Sequence, residues 1–253
     1  MKKIWPKTLV ISVAVILGTS GALLATQMSD RIESSAKKSY VFMTYLKGDD
    51  IKFKTTDDST VTLSGTVSEW SHRTLAEETV AGLPGVLHVD NRIDFKGAQT
   101  ADNSDTWIGM KVRMALLFHI NLSTVQAGVT VVDGAVALHG KASNTAQKEL
   151  ITEYVSDIDG VKSVKNHMSI MKNEKSAVEK VTDQIDDASI TAQVKIALLF
   201  HRSTNVIQTK IETNNGDVTV KGVAKNSDEK ELVRKLVSGI KGVKSLKNEM
   251  TIE

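Results

Sequence analysis

Six histidines hold most of this chain's capacity for chemistry, because imidazole both moves protons near neutral pH and binds metals. A helical metal site sets two histidines four residues apart, and no pair here has that spacing. His119 and His201 occupy equivalent positions at the end of a helix, on its core-facing side, where an imidazole can bond the last carbonyls. His72, His88, His139 and His167 have no counterparts. The acid pairs Asp49-Asp50, Asp57-Asp58 and Asp186-Asp187 fall at loops or helix starts, where carboxylates suit solvent and the helix dipole. No nucleophile elbow, phosphate loop or dinucleotide fingerprint occurs. The absence of cysteine excludes disulfides, thiol catalysis, cysteine metal sites and a lipidated N-terminal cysteine. With five phenylalanines, three tyrosines and three tryptophans, no aromatic sugar platform can be built. The expectation is a non-enzymatic protein with no cofactor and no metal.

The elements behind these residues come in copies. Residues 104–171 laid on 186–253, at an offset of 82, match at 28 of 68 positions without a gap. Ala115-Leu116-Leu117-Phe118-His119 returns as Ala197-Leu198-Leu199-Phe200-His201. An upstream copy at an offset of 75 is more worn. Its Gly65 matches Gly140, its Gly85-Val86 matches Gly160-Val161, and Ser59 stands where the others carry glycine. Asn91, Asn166 and Asn248 recur on the last strand and are read as satisfying the backbone where the second helix turns into that strand, rather than as ligand contacts.

Each copy changes periodicity in a fixed order. Ile108, Val112, Ala115 and Leu116 share a helix face, as do Ile190, Val194, Ala197 and Leu198. Alternation from Val125 and from Ile207 gives a strand, Asp133-Gly134 and Asn215-Gly216 give tight turns, and Val136/Leu138 and Val218/Val220 continue the hairpin. Asn144 and Asn226 can cap a second helix. Gly160 and Gly242 follow its end as left-handed C-caps, and a final strand carries Val164, Met168 and Ile170. The fold class is α+β: three tandem αββαβ modules, each with two helices packed on a small three-stranded mixed sheet. Gly65, Gly85, Gly140, Gly160, Gly222 and Gly242 are its structural glycines.

Gly-x-Val-x-Leu-x-Gly from Gly134 to Gly140, followed by Gly-Val-x-x-Val-x-Asn from Gly160 to Asn166, resembles the BON domain. The resemblance covers residues 29 to 253. It implies a periplasmic or envelope-associated protein of the osmotic stress response, with phospholipid binding or chaperone-like protection as its role. Three modules rather than two, and no lipid-anchor cysteine, depart from the best-known member and leave outer-membrane tethering unsupported.

Lys2, Lys3 and Lys7, an apolar stretch over residues 8–17 and the small residues Gly18 to Ala22 read as a signal peptide over residues 1–25, cleaved after Ala22 or Ala25. The alternative is an uncleaved inner-membrane signal anchor. Module one then spans 29–96, a linker 97–103, module two 104–171, a charged linker 172–186 and module three 187–253. Val178, Val181 and Ile185 are spaced to make the second linker partly helical. Removing the three early lysines leaves 29 basic residues against 30 acids, a balance unsuited to nucleic acid.

Function must then lie on surfaces. Met114 and Phe118 project about 120° from the Val112 core line, as Ile196 and Phe200 do from Val194. These four residues either pack module on module or bind lipid or a partner. The modules carry net charges of −2, 0 and +3. The third gathers Lys230, Arg234, Lys235, Lys241, Lys244 and Lys247 around its second helix, as an anionic phospholipid surface would require. The expectation is therefore a periplasmic protein that binds anionic phospholipid or unfolded clients. The alternative is a membrane-anchored assembly protein whose modules bind envelope proteins.

Overall fold

A computed structural model describes residues 19–56, 58–96, 104–119, 127–171, 185–204 and 209–253, with the backbone alone for 19–27. The export segment up to residue 18, the linker 97–103, Val125, Ile207 and the linker positions Val178 and Val181 lie outside the described residues.

Module one comprises α1 (Thr19–Lys38), α2 (Tyr40–Thr44), β1 (Asp50–Thr55), β2 (Thr60–Val67), α3 (Trp70–Ala81) and β3 (His88–Phe95). Module two has α4 (Asp105–Phe118), β4 (Gly128–Val132), β5 (Ala135–His139), β6 (Lys141–Ala142), α5 (Thr145–Ser156), β7 (Ser163–Asn166) and β8 (Ser169–Ile170). Module three repeats it with α6 (Asp187–Phe200), β9 (Lys210–Asn214), β10 (Asp217–Lys221), β11 (Val223–Ala224), α7 (Ser227–Ser238), β12 (Ser245–Asn248) and β13 (Thr251–Ile252). In each module an antiparallel hairpin is joined by a last strand running parallel to its second strand, giving the orders β1-β2-β3, β4-β5-β7 and β9-β10-β12. The short pairs β6-β8 and β11-β13 prolong the parallel half. This is the α+β arrangement the periodicity predicts.

Local chemistry explains the hairpins. Asp133 and Gly134 have φ of 51° and 80°, and Asn215 and Gly216 have 52° and 85°. Positive φ at both central residues is the turn whose twist matches paired strands. Asp105, in the first turn of α4, accepts from the N–H groups of Asp133 and Gly134 at 2.7 and 2.8 Å. Asp187 does the same for Asn215 and Gly216. One acid thus faces the helix dipole and pins the hairpin tip to the helix.

The recurrent asparagines tie the second helix to the last strand. Asn166 Nδ2 donates to the Lys148 carbonyl at 3.0 Å and to Thr152 Oγ1 at 2.9 Å, and its Oδ1 accepts from Met168 N–H at 3.0 Å. Asn248 bonds Lys230 O and Met250 N–H, and Asn91 bonds Arg73 O and Ile93 N–H.

Two sequence expectations need correction. α5 ends at Ser156 and α7 at Ser238, so Gly160 and Gly242 are not C-caps but sit three residues past the caps, Asp157 and Gly239. They occupy the third position of turns closed by Val161 N–H to Ile158 O and Val243 N–H to Ile240 O, with φ of 91° and 90°. Gly85, φ 89°, does the same behind Pro84. Gly65, Gly140 and Gly222 also have positive φ. The second correction concerns Ile185, which is not helical. Asp186 is extended, and its side chain accepts from Ser189 N–H, so α6 begins cleanly at Asp187.

The three modules share one hydrophobic core. Its hub is α6, where all but three of the 14 residues are buried, as befits a helix apolar around most of its circumference. α6 packs closely on α3, with Ala188 against Gly82 and Lys195 paired with Glu78 at 2.6 Å. Module one also reaches the N-terminus of α6, where Tyr40 N–H donates to Asp186 and Val41 N–H to Ser189 Oγ.

Candidate functional site

Modules two and three meet in a reciprocal seam. Lys241 N–H donates to Phe118 O at 3.0 Å, and Asp159 N–H donates to Phe200 O at 2.9 Å. Each bond has its counterpart 82 residues away, as do the two bridges His119↔Ile240 and Ile158↔His201. The contact is isologous, a two-fold relation within one chain. In module one Pro84 stands where Asp159 and Lys241 stand, and proline has no N–H to give. Module one docks on α6 instead, through α3 and the start of α2.

The side chains in the seam depart from the symmetry of its backbone. His201 Nδ1 lies 3.2 Å from Asp157 Oδ2, and Ser203 Oγ donates to Asp157 Oδ1 at 2.6 Å. Arg202 adds its N–H to Asp157 O and its guanidinium to Ser156 O. His119, the counterpart of His201, meets Gly239 where a carboxylate would be. Tyr154 faces both rings, with centroids 4.6 Å from His119 and 5.5 Å from His201. Burial, and then the nearby charge of His201, push the His119 pKa down to about 4. For Asp157 burial pulls upward, but contacts from His201, Ser203 and Arg202 outweigh it and hold the carboxyl below its ordinary value. Burial alone lowers Lys241.

The residues expected to bind lipid or a partner are placed differently from that expectation. Met114, Phe118, Ile196 and Phe200 are at most 5% exposed, so burial removes them from any binding surface. Phe118 packs its ring 5.5 Å from Tyr45 of module one. The apolar groups left exposed on α4 and α6 are Leu117 and Leu199. Lys230 is also corrected. Its ammonium donates to Met250 O at 2.6 Å, as that of Lys148 does to Met168 O, so this repeated lysine fastens α7 to the last strand. Arg234 is exposed but paired with Glu231 through two nitrogens. Lys235, Lys244 and Lys247 are exposed, with Lys244 bonded to Asn215 O and Lys247 to Glu249.

Several residues here carry no sequence motif. Lys111, buried in α4, pairs with Asp159 at 2.8 Å. At offset 82 this pair becomes Gln193 and Lys241, and Tyr154 and Asp157 become Leu236 and Gly239. The signal was available as mismatches between two otherwise similar copies. His139 and His167 stack face to face, but among the described residues no three potential metal ligands converge. Among the same residues no helix is long and apolar enough to cross a membrane.

The BON domain model matches the chain three times, at residues 29–97, 104–172 and 186–253. Osmotically-inducible protein Y of Escherichia coli (strain K12) is 25% identical over 146 residues, covering 58% of this chain and 71% of that protein. An uncharacterized protein in the gshII 5′ region of Anaplasma centrale is 30% identical over 139 residues, covering 52% of this chain and 89% of its own. Among solved structures, CdsD, a structural protein of the type III secretion system of Chlamydia trachomatis, aligns over 88% of this chain and 92% of its own at 15% identity. Its TM-score of 0.23 is too low to relate the two folds. The family matches take in most of the chain and each of its repeated modules, and the protein belongs to the BON-domain family.

Proposed function

We propose that this is a non-catalytic periplasmic protein of the osmotic stress response whose third module docks on anionic phospholipid. The observation that carries the reading is charge. Module three has a net charge of +3 against −2 and 0 for its neighbours. Lys235, Lys244 and Lys247 hold exposed cations on α7, the following turn and β12. Exposed Leu199, Val223 and Ile252 in the same module offer apolar contact in place of the buried Ile196 and Phe200. Similarity to an osmotically inducible BON protein supports the stress setting. The lysine- and alanine-bearing N-terminal segment supports export.

Each basic residue near an anionic membrane contributes about 1 kcal/mol, so three reversals should abolish weak binding. The test is flotation of the processed chain with phosphatidylglycerol vesicles. Wild type should float, increasing salt should release it over a Debye length of about 10 Å at 0.1 M, and Lys235→Glu with Lys244→Glu and Lys247→Glu should not float. Equal flotation of wild type and this folded variant, or none by either, overturns the reading.

A further inference from the structure

We propose that the seam between modules two and three is a hetero-specific recognition surface, in which His119 demands a glycine at the end of the opposing helix and His201 demands a carboxylate there. The partner each face fits is a BON module of the complementary kind, and neither module fits a copy of itself.

The argument begins with Gly239. Its φ of −84° and ψ of −10° are right-handed helical values that any residue adopts, and Asp157, its counterpart, has −88° and −4°. Backbone conformation therefore does not require glycine. Space does. A β-carbon at Gly239 would lie 2.1 Å from His119 Nε2 and 2.5 Å from its Cδ2. The imidazole occupies the volume that any other side chain would fill. Its own position is fixed by Tyr154 and by the bond from Lys241 N–H to the adjacent Phe118 carbonyl.

The other half of the seam has the opposite requirement. His201 is 1% exposed, and its Nδ1 meets Asp157, whose second oxygen is held by Ser203. A buried imidazole next to glycine would lose that bond and keep the desolvation. Two copies of module two, paired in this geometry, would drive His119 into Asp157. Two copies of module three would leave His201 without its carboxylate. The arrangement that satisfies both histidines is two against three.

Three amide protons report the seam directly: Lys241 to Phe118 O, Asp159 to Phe200 O and Arg202 to Asp157 O. Two report the modules themselves: Lys162 to Gly134 O and Lys244 to Gly216 O. Hydrogen exchange on the full chain separates the two sets. Gly239→Asp should lower protection of the Lys241 and Asp159 amides at least tenfold while the two internal amides hold. Combining it with Asp157→Gly sets His119 against a carboxylate and His201 against a glycine, the reverse of both requirements, and should recover none of the loss. Unchanged seam protection in Gly239→Asp, or a double variant that regains the lost protection, overturns the proposal. Should Gly239→Asp also expose the internal amides, His119→Ala is added to it. Recovery of both sets then supports the steric pairing, and continued loss overturns it.

Discussion

The His119 ring stands edge-on to that of Tyr154, centroids 4.6 Å apart and planes at 78°, where the second and third modules meet. Burial there lowers the His119 pKa from 6.5 to about 4. Between those values the unfolded chain binds a proton that the folded chain refuses. Stability is therefore complete above pH 6.5 and falls as the pH drops toward 4, by at most about 3 kcal/mol. Denaturant titrations at pH 7, 5.5 and 4.5 should show the decline, and His119→Gln should flatten it. Asp157 adds a loss only at lower pH, since its folded value lies below 3.8.

Gly242 combines a φ of 90° with a crowded β-carbon position, 2.9 Å from Ile190 Cγ1. Gly242→Ala should cost about 2 kcal/mol or more, from the left-handed conformation and from overlap. Because the modules share one core, calorimetry should record a single transition moved to lower temperature, not selective melting of the third module.

Asn166 and Asn248 each hold a helix carbonyl and the backbone N–H two residues on, between the last two strands of the module. Replacing either with alanine should cost about 1–3 kcal/mol by leaving partly buried polar groups without partners. Urea midpoints should fall with little change in slope.

Phe200→Ser tests where that side chain acts. Buried in the common core, it should lose about 3 kcal/mol or more of stability, while the folded fraction floats with vesicles as wild type does. A stable Phe200→Ser variant that no longer floats would return this residue to the binding surface.

The modules were legible in sequence because their elements are set by local rules. Period-two and helical patterns, Asp-Gly and Asn-Gly turns and asparagine caps each act within a few residues. The burial of Met114, Phe118, Ile196 and Phe200 was legible only as a choice, since a second apolar face says that something covers it and not what. Lys230 misled because its charge reads as surface, whereas its ammonium bonds a carbonyl 20 residues away. The seam escaped because its information lies in the differences between copies. Asp157 against Gly239 looks like drift until the fold sets each before a histidine of the other module.

Pro84 carries a lesson about growth. In a solenoid every repeat offers its successor the same face, so length is open-ended and additional units are accommodated. Here the reciprocal bonds consume the donor turns and the acceptor helix ends of both later modules at once, and proline silences the corresponding turn of the first. A module added by duplication would find these donors and acceptors of modules two and three already taken. The pairing closes between two modules instead of running open along the chain.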